Sequence, residues 1–305
     1  MREEEATFAG ADGVRLFRRA WLPDGTVLAS VAVVHGFGDH AGRYLPLVEA
    51  LVPAGFAVQA LDLRGHGRSP GRRGHIDAWR QYRDDVVALL EVVHASNAVE
   101  PLFLYGHSLG GVIALELGLR RGEELRARLG LGGVVASAPA LAPIGARRPV
   151  LEALSRPLAR VWPGFSLDLH IDRSALSRRA AEAAVDADDP LTHGRISART
   201  ARETLAALAW TRANAPAWRL PLLIIHGSAD RLADPDASRG FAAAARAGGA
   251  PDVTLRIYAG GFHEPHHDLE ADEALTDVRI WLEAHLAGTG ATNAAPARLL
   301  GEGGV

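Results

Sequence analysis

The sequence predicts a mostly parallel α/β sheet flanked by helices, with a helical segment inserted into it. Three observations carry that expectation. Short apolar runs rich in β-branched or aromatic residues recur and stop at Gly, Asp or His, as strands buried on both faces do. Stretches with apolar residues at helical spacing lie between them, and such strand–helix alternation builds a parallel sheet. The alternation fails between about Leu141 and Leu208, where Pro143, Pro149, Pro157, Pro163 and Pro190 punctuate helical pieces and no strand is convincing.

In chain order, Ala6–Ala9 and Val14–Trp21 flank Ala11-Asp12-Gly13, a turn suited to an antiparallel hairpin at the sheet edge. Val31–Val34, Ala57–Leu61 and Leu102–Tyr105 read as buried strands. Tyr44–Val52 and Tyr82–Val93 read as helices, the second with an apolar stripe of Val86, Val87, Leu89, Leu90 and Val93. Further strands are expected at Gly133–Ser137, Leu222–His226 and Val253–Tyr258, and a last helix at Glu273–His285. Residues 1–140 and 209–287 are thus expected to form one core, 141–208 a helical lid, and 288–305, rich in Gly, Ala and Pro without periodicity, a flexible tail.

Composition excludes several chemistries. The 305 residues hold no cysteine, which removes thiolate catalysis, disulfides and Cys-built metal centres. All 33 basic residues are Arg, so Schiff-base chemistry and a P-loop lysine are absent, a guanidinium being permanently protonated. A net charge of −3 gives no electrostatic footprint for nucleic acid. No apolar run approaches the roughly 20 residues of a spanning helix, and the acidic opening MREEEATFAG is unlike a signal peptide, so a cytoplasmic location is expected.

The strongest chemical signal is the run Leu102–Tyr105, then Gly106-His107-Ser108-Leu109-Gly110, then the helical stretch Val112–Leu119. A G-x-S-x-G turn between strand and helix exposes its serine on a sharp bend, where Gly106 and Gly110 supply room. The head of the following helix also favours negative charge developing nearby. A serine hydroxyl needs a base, and the base a carboxylate to fix its tautomer. Asp230 follows the strand Leu222–His226 and His263 follows Val253–Tyr258, so each is expected at the carboxyl edge of the sheet, where open α/β folds place their sites. Asp234 is the rival acid; His266 and His267 are the rival bases, expected to face solvent or touch the lid. Charge on a substrate carbonyl oxygen would be met by the N–H groups of Phe37, in the loop His35-Gly36-Phe37-Gly38, and Leu109. His35 and His66 read as structural, and Asp62 as ordering the turn that contains His66. Neither a G-x-G-x-x-G loop nor a His/carboxylate set with metal-ligand spacing is present, Pro265 spoiling His263-Glu264-Pro265-His266-His267, so no cofactor and no metal are expected.

His35-Gly36-Phe37-Gly38-Asp39-His40-Ala41-Gly42-Arg43-Tyr44, Asp62-Leu63-Arg64-Gly65-His66-Gly67-Arg68-Ser69, Arg73-Gly74-His75, Gly106-His107-Ser108-Leu109-Gly110-Gly111, Asp189-Pro190-Leu191, Gly227-Ser228-Ala229-Asp230-Arg231-Leu232 and Gly261-Phe262-His263-Glu264 together resemble the monoacylglycerol lipase and lysophospholipase branch of the α/β hydrolases, the serine aminopeptidase-like hydrolases. Asp39 stands where that family commonly has Glu. The resemblance runs in family order from about residue 8 to 285 and implies an α/β-hydrolase fold with Ser108, Asp230 and His263 as triad, Phe37 and Leu109 as oxyanion hole, and 141–208 as lid. It implies a serine hydrolase of lipid monoesters acting through an acyl-enzyme. A carboxylesterase or peptidase with the same triad, cofactor-free oxidase chemistry, and a non-catalytic small-ligand receptor are the alternatives; an ester-turnover assay separates the last from the enzymes.

The expected partner is a small lipid ester, with no nucleic acid and no obligate protein partner. Peripheral membrane contact is expected through the lid. Val150, Leu151, Leu154, Leu158, Val161, Trp162 and Phe165 fall near helical spacing with Arg147, Arg148, Arg156 and Arg160 off the stripe, a pattern suited to the headgroup boundary or, alternatively, to packing on the core.

Overall fold

The computed structural model describes residues 1–97, 101–144, 153, 157–179 and 189–286. Ten strands are described: β1 Arg2–Ala9, β2 Arg15–Leu22, β3 Ala29–Val34, β4 Phe56–Leu61, β5 Leu102–His107, β6 Leu131–Ser137, β7 Ser166–Asp168, β8 Arg195–Ser197, β9 Leu222–Gly227 and β10 Val253–Tyr258. Among the described residues are the α-helices α1 Leu45–Leu51, α2 Arg80–Asn97, α3 Leu109–Leu129, α4 Ala198–Ala213, α5 Pro235–Ala247 and α6 Ala271–Ala284. Each core strand and helix anticipated from the sequence is found, most with ends shifted by a few residues, while α3 runs ten residues beyond the expected Leu119.

Eight strands form one sheet in the order β1-β2-β4-β3-β5-β6-β9-β10. β1 and β2 pair antiparallel, β2 joins β4 antiparallel, and all remaining neighbours are parallel. The alternation of a pleated strand sorts side chains into two layers. Ala32, Val34, Leu102, Leu104, Leu222 and Ile224 pack with α2, α3 and α5, while Val31, Val33, Phe103, Tyr105, Leu223 and Ile225 pack with α1 and α6. Each buried Val, Leu, Ile or Phe among them contributes about 1.5–3 kcal/mol by leaving water, so the frame under the loops is rigid. Chain order reverses at β3, whose neighbours are β4 and β5, and the loops after β3, β5, β9 and β10 meet at that carboxyl edge.

Between β6 and β9 the structure departs from the expectation of helix alone. β7 and β8 form a two-stranded antiparallel pair, Ser166 opposite Ser197 and Asp168 opposite Arg195. Three-residue strands with partners this far apart carry no periodic signal. The expected boundary at 208 falls inside α4, which begins at the Ser197 cap, whose hydroxyl accepts from Thr200 N–H. Helix continues to Val161, a turn follows at Pro163–Gly164, and Phe165 packs its ring against Trp162 at 5.3 Å instead of continuing the stripe helically. Val150, Leu151, Leu154, Arg147, Arg148, Arg156 and the tail 288–305 lie outside the described residues.

Candidate active site

β5 ends in His107 and α3 begins at Leu109, leaving Ser108 alone to turn the chain at φ 52° and ψ −113°. A non-glycine residue there costs about 1–3 kcal/mol and persists only where neighbours over-determine it. The neighbours are backbone: a Cβ on Gly110 would strike the carbonyl oxygens of Val34 and His35, and one on Gly106 the carbonyl of Gly110. Small residues at both positions therefore let β3, β5 and α3 close around the bend, and the Ser108 hydroxyl is raised above the sheet edge.

The loops after β9 and β10 bring Asp230 and His263 to it. Ser108 Oγ lies 2.9 Å from His263 Nε2, and His263 Nδ1 lies 2.6 Å from Asp230 Oδ2. A carboxylate only accepts, so Nδ1 carries the proton and Nε2 faces the hydroxyl as an acceptor. Asp230 is fixed in turn: Oδ1 accepts from the N–H groups of Leu232 (2.7 Å) and Ala233 (3.0 Å), and Oδ2 from His226 Nε2 (2.9 Å). Burial opposes ionisation of Asp230, but charge on His263 and the histidine hydrogen bonds outweigh it and hold this carboxyl well below the usual carboxylate range. Burial likewise opposes protonation of His263, yet the adjacent Asp230 charge and hydrogen bond raise its pKa above the ordinary histidine value. Hydroxyl, imidazole and carboxylate in this order can remove a proton from the oxygen and return it to a leaving group.

The rivals are occupied elsewhere. Asp234 is the N-cap of α5, accepting from Asp236 N–H at 2.9 Å. Asp62 accepts from the N–H groups of Ala41 and Arg68, both at 2.7 Å, and so ties the two loops that it separates in sequence. His35 accepts Leu63 N–H at 2.9 Å. His266 and His267, expected near solvent or the lid, are instead buried: His266 stacks on Tyr44 at 5.0 Å, and His267 Nδ1 meets Glu264 Oε2 at 2.8 Å. Tyr44 beside His266, and Arg43 and Ser177 beside His267, are distant in sequence, so local pattern does not reveal this burial.

Several polar residues of the site were given no role by the sequence. Arg43 forms a two-pronged pair with Glu264, 2.9 Å on each side, next to His263. Burial of Glu264 resists ionisation, but Arg43 and His267 overcome it and keep the carboxyl well below its ordinary range. Asp39 accepts from His40 N–H (2.7 Å) and Tyr44 hydroxyl (3.1 Å). His226, the one polar residue at the end of the run Leu-Leu-Ile-Ile-His, carried the only local hint of a role, a buried imidazole just before Asp230. His107 stays neutral, burial and the nearby His263 pulling its pKa down to about 3. Among the described residues, Glu264, His266 and His267 bring potential metal-ligand atoms within 4.8 Å of one another. They are poorly suited to a cation, since the Arg43 guanidinium already occupies the carboxylate and approaches His267 Nδ1 to 3.4 Å.

Leu109 is the first residue of α3, so its N–H has no intrahelical acceptor, and Phe37 lies in the turn after β3. Both residues line, with Ser108 and His263, a cavity of about 840 Å³. Leu169, Ile196, Leu205 and Leu208 give it an apolar wall; Arg43 and Thr192 give it polar edges. A lining of apolar side chains with some polar ones suits an amphiphile.

Residues 25–270 match the family model described as serine aminopeptidase, S33. A monoacylglycerol lipase of Mycolicibacterium smegmatis is 34% identical over 283 residues, covering 92% of this chain and 98% of the relative. The monoglyceride lipase of Rattus norvegicus is 32% identical over 285 residues, covering 92% and 91%. The crystal structure of Paleococcus ferrophilus monoacylglycerol lipase superposes with a TM-score of 0.79 at 32% identity, covering 88% of this chain and 99% of that one.

Proposed function

Because the chain belongs to the serine aminopeptidase S33 family of α/β hydrolases and is a carboxylic ester hydrolase, we propose that it releases fatty acid from monoacylglycerols or similar lipid monoesters through an acyl-enzyme on Ser108. The hydrogen-bonded line from Ser108 through His263 to Asp230 is the observation that carries this reading. His263 Nε2 takes the proton as Ser108 Oγ attacks the ester carbonyl. The N–H groups of Phe37 and Leu109 meet the oxyanion, where one such donor is worth roughly 10²–10³ in rate. His263 then protonates the departing alcohol, and water, activated by the same ring, frees the acid. A panel of glycerol monoesters of rising chain length, set beside aryl esters and aminoacyl amides, tests the substrate class. Highest kcat/KM on the glycerol esters supports it, and preference for the amides sinks it.

Neutral His263 is the base, so its raised pKa sets the acid limb of activity. We expect kcat/KM to fall as pH drops through a midpoint above the ordinary histidine value of about 6.5. Activity that stays flat well below that range counts against a histidine base.

The segment 141–208 is assigned as the lid, which supports the acyl chain and meets lipid surfaces. Leu169 and Ile196 come from it, and Val161 and Trp162 stand 84% and 62% exposed beside exposed Arg160. Burying each apolar side chain is worth about 1.5–3 kcal/mol. Replacing Val161 and Trp162 together by Ser is therefore expected to weaken vesicle binding by at least about tenfold and to slow long-chain turnover, leaving short soluble esters untouched. Unchanged vesicle binding removes the lipid contact from this surface.

A further inference from the structure

Phe37 and Gly38 are gripped from the far side by the segment Asp189–Gly194. His193 N–H donates to Gly38 carbonyl at 2.9 Å, and Gly38 sits at φ 74° so close beneath it that a Cβ would collide with the His193 carbonyl. A second tie runs from Asp189 to His40 Nε2 at 2.8 Å. The His193 ring meets the Phe37 ring edge-on, with centroids 5.7 Å apart and planes at 82°. His66 presents the same geometry to Phe37 at 5.7 Å and 79°, and the two imidazoles lie 4.6 Å apart. Edge-to-face ring pairs favour this arrangement beyond what burial alone gives.

The hydrogen bonds of the two imidazoles leave a specific pattern. His193 Nε2 faces Gly65 carbonyl at 3.2 Å and so carries the proton, while its Nδ1 is buried without a partner among the described residues. His66 Nδ1 faces Arg64 carbonyl at 3.1 Å, while its Nε2 is likewise buried and unpartnered. Burial keeps both rings uncharged at neutral pH, that of His193 titrating only near 4. A buried lone pair left unpaired does not help stability, so the faces and edges of these rings, which pack on Phe37, are what the arrangement uses.

We propose that His193 is a positioning residue, whose ring packs on the Phe37 side chain and whose main-chain N–H holds the Gly38 carbonyl, fixing the loop so that Phe37 N–H aims at the oxygen on which charge develops. This rests on the assignment of Phe37 as an oxyanion donor. The grip is needed most in the transition state, so its loss acts on kcat more than on KM.

The test uses the full chain, a short soluble aryl ester that makes little use of the acyl wall, and an alkyl boronic acid, which forms a tetrahedral adduct. His193→Ala is expected to lower kcat about tenfold, a fraction of the roughly 10²–10³ for outright loss of a donor, with KM within about twofold. Boronate affinity should weaken by the same factor as kcat. His193→Phe, which keeps an aromatic ring, should recover kcat to within about threefold of the parent. His193→Leu, filling the space without an aromatic ring, carries the same expectation as the alanine variant if that one does not fold. A kcat and boronate affinity unchanged without the ring, a rise in KM alone, or a Phe variant as slow as the Leu variant overturns the proposal. Fluorophosphonate labelling of Ser108→Ala distinguishes the two ideas. Labelling lost there while the His193 variants behave as parent rejects positioning alone; labelling retained rejects the hydrolytic reading beneath it.

Discussion

Ser108→Ala is expected to lower kcat by roughly 10⁴–10⁶, by comparison with deletions of a triad nucleophile elsewhere. The size of the effect follows from what remains. Without Oγ no acyl-enzyme forms, and the cavity can only hold the ester near water and the Phe37 and Leu109 donors. Folding should survive, because the hydroxyl is not what holds the bend: the backbone contacts around Gly106 and Gly110 do that, and the alanine inherits the same φ of 52°. Active-site labelling by a fluorophosphonate should vanish while the melting temperature changes little. Retained labelling moves the nucleophile elsewhere.

Asp230→Asn should slow kcat by about 10⁴, whereas Asp234→Asn should leave it within about threefold. An amide at 230 can present N–H to His263 Nδ1, which turns the ring to the tautomer with a proton on Nε2, the atom that must accept from Ser108. The replacement also removes the charge that raises His263 against the pull of burial. The residual activity should therefore show its acid limb at lower pH than the parent. Asp234 caps α5 and points at a helix, not at the base, so its loss is a matter of stability, about 1 kcal/mol for a cap. The reverse ranking of the two variants would transfer the role.

The frame was legible because its signals are local. Val31–Val34 and Leu102–Tyr105 are continuous apolar runs, since a central parallel strand buries both faces, and the G-x-S-x-G bend announces its own close contacts. Asp230 and His263 were legible because each leaves a recognisable strand within a few residues. The Arg43–Glu264 pair was not, since neither residue stands out and their meeting depends on how the loops after β3 and β10 cross. The same cause hid the burial of His266 and His267, which look like solvent residues until Tyr44, Arg43 and Ser177 come against them. β7 and β8 escaped because a three-residue strand is defined by its partner and not by its own pattern.

The separation of the proposed triad along the chain also governs when its activity can arise. The contact between His263 and Ser108 spans 155 residues and that between His263 and Asp230 spans 33, so neither exists until the last third of the chain has docked as β9 and β10 on the edge of the growing sheet. Contacts this non-local form slowly, because chain closure precedes any reward from burial. A nascent or partly refolded chain can thus have β3, β4 and β5 paired and Ser108 already on its bend while remaining chemically silent. Hydrolysis therefore cannot precede the docking of β9 and β10, and the return of turnover during refolding reports the arrival of the C-terminal strands, which a spectroscopic signal from the central sheet does not.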